Sequence, residues 1–450
     1  MSRDLTTGQP TKQLILFALP VLLGNLFQQV YNLADLSIVG RFLGTGALAA
    51  VGSTGSLNFM VLGFCFGLCT GFCIPIARSF GARDIGLLRR YLFNLIVLTV
   101  ALSVVLSIGT ASVMRVVLHA MNTPADIFED AYGYITIIFG GIFVTMAYNI
   151  LANLSRAIGD SHTPVIFLVM ATILNIGLDL LLIVNFKWGV AGAAVATVAA
   201  QACSAVACFV YMNKRFPELH LGRGDCRIEW GLVGELLRMG LPMALQFSIT
   251  AIGSVILSSA VNPYGSMVVA TVSAGFRVQM LLTQPIEAVC VSMATFASQN
   301  LGAKRIDRIK TCVWQILIIL AGVSLVGWWA GVQGGHILAR LFIDGEHTEI
   351  LAGIHQYLFV VGMFFFPLGS LMIFRNAIQG LGYAMSAMVA GLFEMVARSF
   401  VAIMFVRRFG FDAVCFANPA AWIAANVYLL PAYTYVIRRV AKRVPPPQTT

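Results

Sequence analysis

What this chain has least of is charge. Lys, Arg, Asp and Glu together make up 11% of its 450 residues, about half the share of an ordinary soluble domain. Apolar residues make up 59%. A chain of this length cannot hide that much apolar surface in its own core, so lipid must be the solvent for much of it. Metal and disulfide chemistry are thin as well. The nine cysteines form no CxxC pair and lie mostly inside apolar stretches, as Cys65, Cys69 and Cys73 do; they read as small buried apolar side chains. No HExxH occurs and the six histidines are scattered, which speaks against an intramembrane enzyme. No cofactor is expected. The first apolar run, from near Leu14 to about Gly40, is too long for a signal h-region and lacks a small-residue cleavage site. It reads as a membrane helix. The net charge of +10 sits between apolar runs and forms no interleaved basic and aromatic surface, which argues against nucleic acid as a partner.

What is there is length and apolar repetition. A hydrocarbon layer about 30 Å thick needs about 20 apolar residues per helix. Twelve stretches meet that need: 13–40, 47–77, 88–113, 128–155, 163–184, 189–212, 232–261, 267–297, 312–332, 350–374, 383–406 and 414–437. With the N-terminus inside, the termini and even-numbered loops carry 21 Lys and Arg residues, against 6 in the odd-numbered loops. The positive-inside rule then makes both termini cytoplasmic.

The longest polar stretch, NKRFPELHLGRGDCRIEW, divides the chain into a lobe at 1–212, a linker at 213–230 and a lobe at 231–450. The two lobes match. ALPVLLG with Pro20 aligns with GLPMALQ and Pro242, FGARD at 80–84 with LGAKR at 301–305, and the AIGD beginning at Ala157 with the AIQGLG beginning at Ala377. Three matches at nearly one offset indicate duplication. Six spans per lobe is an even number, so both lobes insert the same way up. The expected architecture is an all-α membrane protein of twelve transmembrane helices, in two six-helix bundles related by a pseudo-two-fold axis along the membrane normal. A central cavity within one chain suits a transporter and makes a monomer sufficient for function.

Ionisable groups inside the spans are few: Asp35, Asp179, Glu287, Glu394, Arg277 and Arg398. Each costs at least about 2.5–3.5 kcal/mol at mid-bilayer and needs a partner or a wet cavity. Asn175 precedes Asp179 by one helical turn and shares its face. Asp35 and Asp179 each lie about five residues from an outer helix end and Thr197 about eight, so the three share one depth. Two carboxylates, an amide oxygen and a hydroxyl form an all-oxygen set that suits a hard cation such as Na⁺. It suits a proton equally well, because two close carboxylates in a low dielectric do not both ionise readily. Asn175 and Thr197 taken alone also fit simple interhelical hydrogen bonding. Glu394 and Arg398, spaced i, i+4, are expected to neutralise each other. Arg277 and Glu287 fit either a static charge arrangement or a substrate-facing one. The Phe, Met and Tyr content could line a polyspecific cavity but more often faces lipid or core.

The runs Pro20-Val-Leu-Leu-Gly, Tyr31-Asn-Leu-Ala-Asp35-Leu-Ser-Ile-Val-Gly40-Arg and Ala47-Leu-Ala-Ala-Val-Gly52, with Gly81-Ala82-Arg83 and Gln299-Asn300-Leu301-Gly302-Ala303 in equivalent loops, resemble the multidrug and toxic compound extrusion (MATE) transporters over essentially the whole chain. The resemblance implies antiport across the cytoplasmic membrane of a prokaryote. Na⁺ or H⁺ moves in while an organic cation or amphipathic compound moves out. It further implies an N-lobe cation site at Asp35, Asn175, Asp179 and Thr197, with Tyr31, Tyr134 and Asn149 near it. Another branch of the family uses acids on helices 7 and 10. Here helix 7 has only Glu235 at its start and helix 10 has none, so that site is not implied. A lipid-linked oligosaccharide flippase of the same wider superfamily is the alternative, but the basic cavity and extra helices expected of one are not visible.

Overall fold

The computed structural model describes residues 4–121, 123–339 and 348–444, so the outermost residues of both expected lobes lie outside the described residues. It is built from helices α1 (Pro10–Ser53), α2 (Gly55–Gly81), α3 (Ile85–Ala120), α4 (Phe128–Gly140), α5 (Ile142–Ala157), α6 (His162–Asp179), α7 (Gly189–Arg215), α8 (Trp230–Val261), α9 (Ser266–Gly302), α10 (Ile306–Ala339), α11 (Thr348–Gly362), α12 (Phe365–Gly380), α13 (Ala384–Met404), the short α14 (Val406–Phe409) and α15 (Phe411–Arg443). No strand occurs among the described residues. Among these residues ten helices are long and apolar enough to cross a membrane, and twelve spans result when each bent pair, α4 with α5 and α11 with α12, is one span. Large apolar side chains stay exposed on the outside, with Ile318 at 74% and Val427 at 72%, as lipid contact requires.

The structure sharpens three sequence boundaries. The first two expected spans meet in a continuous helical run broken at Gly44, whose φ of 84° only glycine adopts freely, rather than in a loop at 41–46. The fourth and tenth spans each bend, by 48° and 50°. The tenth also runs on past residue 374 to Gly380, which takes Arg375 into the helix.

By packing, the chain forms two units, Met1–Asp4 with Leu23–Ala244, and Leu5–Leu22 with Leu245–Thr450. Within the first, the beginning of α8 lies against α2 at glycine distance. A Cβ on Gly67 would stand 2.6 Å from the Ala244 Cα, and one on Gly71 would stand 2.6 Å from the Gly240 Cα. Small residues are what let helix backbones approach this closely in lipid. Polar struts hold the same helix end. Arg78 bridges to Glu235 at 2.6 Å, Tyr91 donates to the other Glu235 oxygen, and Arg90 grips Glu229 through both carboxylate oxygens. In the second unit, the start of α1 contributes Leu14 and Phe17 to the core. The segment before it is held where Asn300 donates to the Leu5 carbonyl (3.1 Å) and Arg308 to that of Thr7 (3.0 Å).

The backbone carries the duplication beyond what the sequence alone displays. Arg83 and Lys304, the aligned basic residues of the two Gly-Ala-basic turns, both adopt left-handed φ, 57° and 59°. The helix ends there close alike, with Asp84 N–H donating to Ser79 O and Arg305 N–H to Asn300 O.

Candidate functional site: an oxygen cluster in the N-terminal lobe

Three helices and a fourth bent pair bring the expected residues together. Asp35 projects from α1, Asn175 and Asp179 from the last turn of α6, Thr197 from α7 and Tyr134 from α4. Asp179 ends its α-helix, and the next six residues, Leu180–Asn185, wind as a π-helix. Such widened turns often occur at functional sites. Asn175 and Asp179 are fully buried and Tyr134 nearly so.

The hydrogen-bond ledger of this cluster does not balance. Tyr31 Oη donates to Thr197 Oγ1, and Asn175 Nδ2 donates to the same oxygen, each at 3.5 Å, the long limit for such bonds. Both of these donors therefore point at Thr197. Asp35 Oδ1, Asn175 Oδ1 and both oxygens of Asp179 are buried with no hydrogen-bond partner. Asp35 and Asp179 lie close enough to act on each other electrostatically, and Tyr31 and Tyr134 sit within the field of both. As two ionised carboxylates they offer each other no donor, whereas one proton shared between them makes a hydrogen bond. A buried carboxylate without a partner costs several kcal/mol, and two side by side cost more. The arrangement is one that a bound cation, or protons, would complete. Its donor set is all oxygen, which fits Na⁺, and among the described residues no group of three or more His, Cys, Asp and Glu suits a transition metal.

Asn149 stands apart. Its amide donates to the Thr145 carbonyl of its own helix at 2.8 Å, and Thr145 in turn donates to Gln201 on α7 at 2.8 Å. It belongs to a neighbouring polar chain rather than to the unpartnered oxygens.

The charges of the second unit are arranged otherwise. Glu394, buried, pairs with the partly buried Arg375 of α12 at 2.7 Å, and not with Arg398, the partner that helical spacing suggested. The i, i+4 rule describes an exposed helix face; here the neighbouring helix supplies a better-placed guanidinium. Arg375 was hidden from sequence reading by its place at the end of the expected span. Glu287 is half-buried on α9 within the field of Arg375, and Arg277 is exposed on the same helix.

The MatE family model matches twice, over residues 20–181 and 242–404, starting at the positions of Pro20 and Pro242. The chain belongs to the MATE family. Among its relatives, the "Probable multidrug resistance protein YpnP" of Bacillus subtilis is 28% identical over 393 residues, 86% of each chain. The "FAD transporter" of Shewanella oneidensis is 25% identical over 393 residues, 85% of each. A solved structure described as a MATE protein in complex with MaL6 superposes with a TM-score of 0.91 at 24% identity, covering 98% of this chain and 99% of that one. The fold is the two-lobed, twelve-helix MATE fold. As a MATE protein the chain is a multi-pass membrane transporter of small molecules, not an enzyme.

Proposed function

We propose that this MATE protein is a secondary antiporter that exports organic cations or amphipathic compounds in exchange for Na⁺ or H⁺, by alternating access. The observation carrying this reading is the set of four buried, unpartnered oxygens on Asp35, Asn175 and Asp179. Thr197 and Tyr31 fix the geometry around them, Tyr134 lies within the field of both carboxylates, and Asn149 belongs to the polar chain on the adjacent helix. A cation seated there stabilises whichever access state keeps the cluster dry and closed. Substrate stabilises the other state, so each ligand displaces the other by shifting populations. The names of the relatives support export of drug-like compounds. The charge asymmetry of the loops supports an orientation with both termini in the cytoplasm of a prokaryotic cell. In this reading the lobes are 1–212 and 231–450, joined by 213–230, and one chain surrounded by lipid suffices.

The test is efflux from proteoliposomes with Na⁺ and pH gradients imposed separately. One gradient drives export in the wild type, and Asp35→Asn loses that drive while still binding substrate. Full gradient-driven export by Asp35→Asn would remove the cluster from the coupling mechanism.

A further inference from the structure

Beside the site the backbone sets the register of the two lobes: Gly159 and Gly382 share a positive φ, and Asp160 N–H closes on Ser155 O as Tyr383 N–H closes on Ile378 O, an offset (382 − 159) of 223 that the ends of the two family matches (404 − 181) share. Asn175 stands six residues before the end of the first match, and Arg398 stands six residues before the end of the second. Tyr134 and Tyr357 correspond in the same way, each 47 residues before the end of its match. The place that holds unpartnered acceptors in the N-terminal lobe thus holds a guanidinium in the C-terminal lobe.

That guanidinium is itself incomplete. Arg398 is 5% exposed, and its Nε and Nη1 atoms are buried with no hydrogen-bond partner. Its head rests on α8 where Gly253 leaves room: a Cβ there would come within 3.0 Å of Nη1. Tyr357 of α11 lies within its field and donates its own hydroxyl proton to Gln279 Oε1 at 2.8 Å, and its oxygen makes no hydrogen bond to Nε or Nη1. The nearest acid, Glu394, is committed to Arg375 at 2.7 Å, and Glu287 also lies in the field of Arg375. A buried guanidinium with free N–H groups carries a desolvation penalty that only an acceptor removes.

We propose that the C-terminal lobe holds a binding site for a small monovalent anion, a halide or a carboxylate, seated on Nε and Nη1 of Arg398 at the position repeat-related to the N-lobe oxygen cluster. The planar fork of adjacent donors suits either anion. A free halide and the carboxylate of a carried compound share this chemistry, and the experiment separates them.

Purified full-length protein in halide-free detergent is titrated with chloride, and excess ³⁵Cl line broadening is recorded. The site gives saturable broadening in the wild type. Arg398→Gln reduces that broadening at least tenfold, and Arg398→Lys, which keeps the charge and loses the fork, weakens it severalfold. Gly253→Ala, which displaces the guanidinium without touching its charge, also weakens it severalfold. Acetate added to the chloride-loaded protein then reads the source: removal of the broadening means carboxylates share the site, and persistence means it selects halide. If chloride gives no signal but acetate raises the thermal midpoint of the wild type and not of Arg398→Gln, the site takes carboxylates alone. A wild type with neither chloride broadening nor an acetate shift overturns the proposal, whether or not the variants fold. Equal responses in wild type and a folded Arg398→Gln overturn it too.

Discussion

The two lobes share a backbone and differ in the sign of what they leave unpaired at one repeat-related position. In the N-terminal lobe the buried, unpartnered groups at the repeat position are oxygens, on Asp35, Asn175 and Asp179; in the C-terminal lobe they are the N–H donors of Arg398. The turns, meanwhile, are copied closely. Gly44 and Gly265 share left-handed φ of 84° and 89°, Gly159 and Gly382 share 86° and 90°, and the bent spans differ by two degrees. Backbone constraints such as a positive φ admit few residues, so duplication keeps them. A buried polar site has no such restriction, and its chemistry can drift once the scaffold is secured. The pattern is a conserved frame holding two opposite electrostatic devices.

The strongest way to break this contrast is Asp179→Asn set beside Arg398→Gln. If the oxygens carry coupling, Asp179→Asn lowers gradient-driven efflux by more than about tenfold, the scale expected when an intramembrane functional carboxylate is lost. Arg398→Gln leaves the ion dependence of transport in place. Ion-dependence curves in proteoliposomes check this, and equal loss of ion dependence in both variants would erase the distinction between the lobes.

Next in size comes the inward-facing C-lobe charge pair, Arg375 with Glu394. Arg375→Gln strands Glu394, which is 4% exposed, and removing one partner of a buried pair costs about 3–5 kcal/mol. The thermal midpoint in detergent should fall by several degrees. Asp35→Asn, which removes an unpartnered charge, should leave that midpoint unchanged or raise it. The opposite ordering would show that the N-lobe carboxylates are structural.

Scaffold changes should be blind to lobe. Gly71→Val drives a side chain into the Gly240 backbone, which a Cβ alone approaches at 2.6 Å, and Gly380→Val drives one into the Ala294 carbonyl oxygen at 2.4 Å. Overpacking of this kind costs about 1–3 kcal/mol, and folded yield should drop comparably for both. A large difference would mean that one lobe tolerates relaxation the other does not.

Much of this was legible in the sequence, and the reasons are physical. Apolar run length fixes a span because lipid thickness is fixed. The Pro20/Pro242 and Gly-Ala-basic matches placed the repeat, and the family model begins at the same two prolines. Asp35 and Asp179 stand out in the sequence because ionisable groups are rare in spans, Asn175 because it lies one turn before Asp179, and Thr197 because it shares their depth. What stayed hidden depends on which helix lies beside which. Glu394 and Arg398 satisfy helical spacing, yet the bond goes to Arg375 across a helix boundary. Nothing local to the sequence encodes that choice. Nor does it encode the π-helical turn after Asp179, since LLLIVN reads as ordinary apolar helix.

The smallest expected effect concerns the struts that hold each helix lead-in. Before α8, the Arg90 guanidinium donates to both oxygens of Glu229 and holds that carboxyl below the usual carboxylate range. A depressed acid stabilises the fold above its unfolded value, and that contribution fades as pH falls through the depressed folded value. For glutamate the unfolded value is about 4.3, so the strut is intact at neutral pH and loosens only in acid. The pair is solvent-exposed, so the effect on global stability is slight. Before α1, Arg308 instead donates to the backbone carbonyls of Leu5 and Thr7, acceptors that do not titrate. Hydrogen exchange between pH 7 and 3 should therefore show the 221–229 segment opening first in acid, with residues 5–8 lagging. Arg90→Gln should open 221–229 already at neutral pH and flatten its pH response. If both lead-ins open together in the wild type, the two struts are equivalent and this last difference between the lobes disappears.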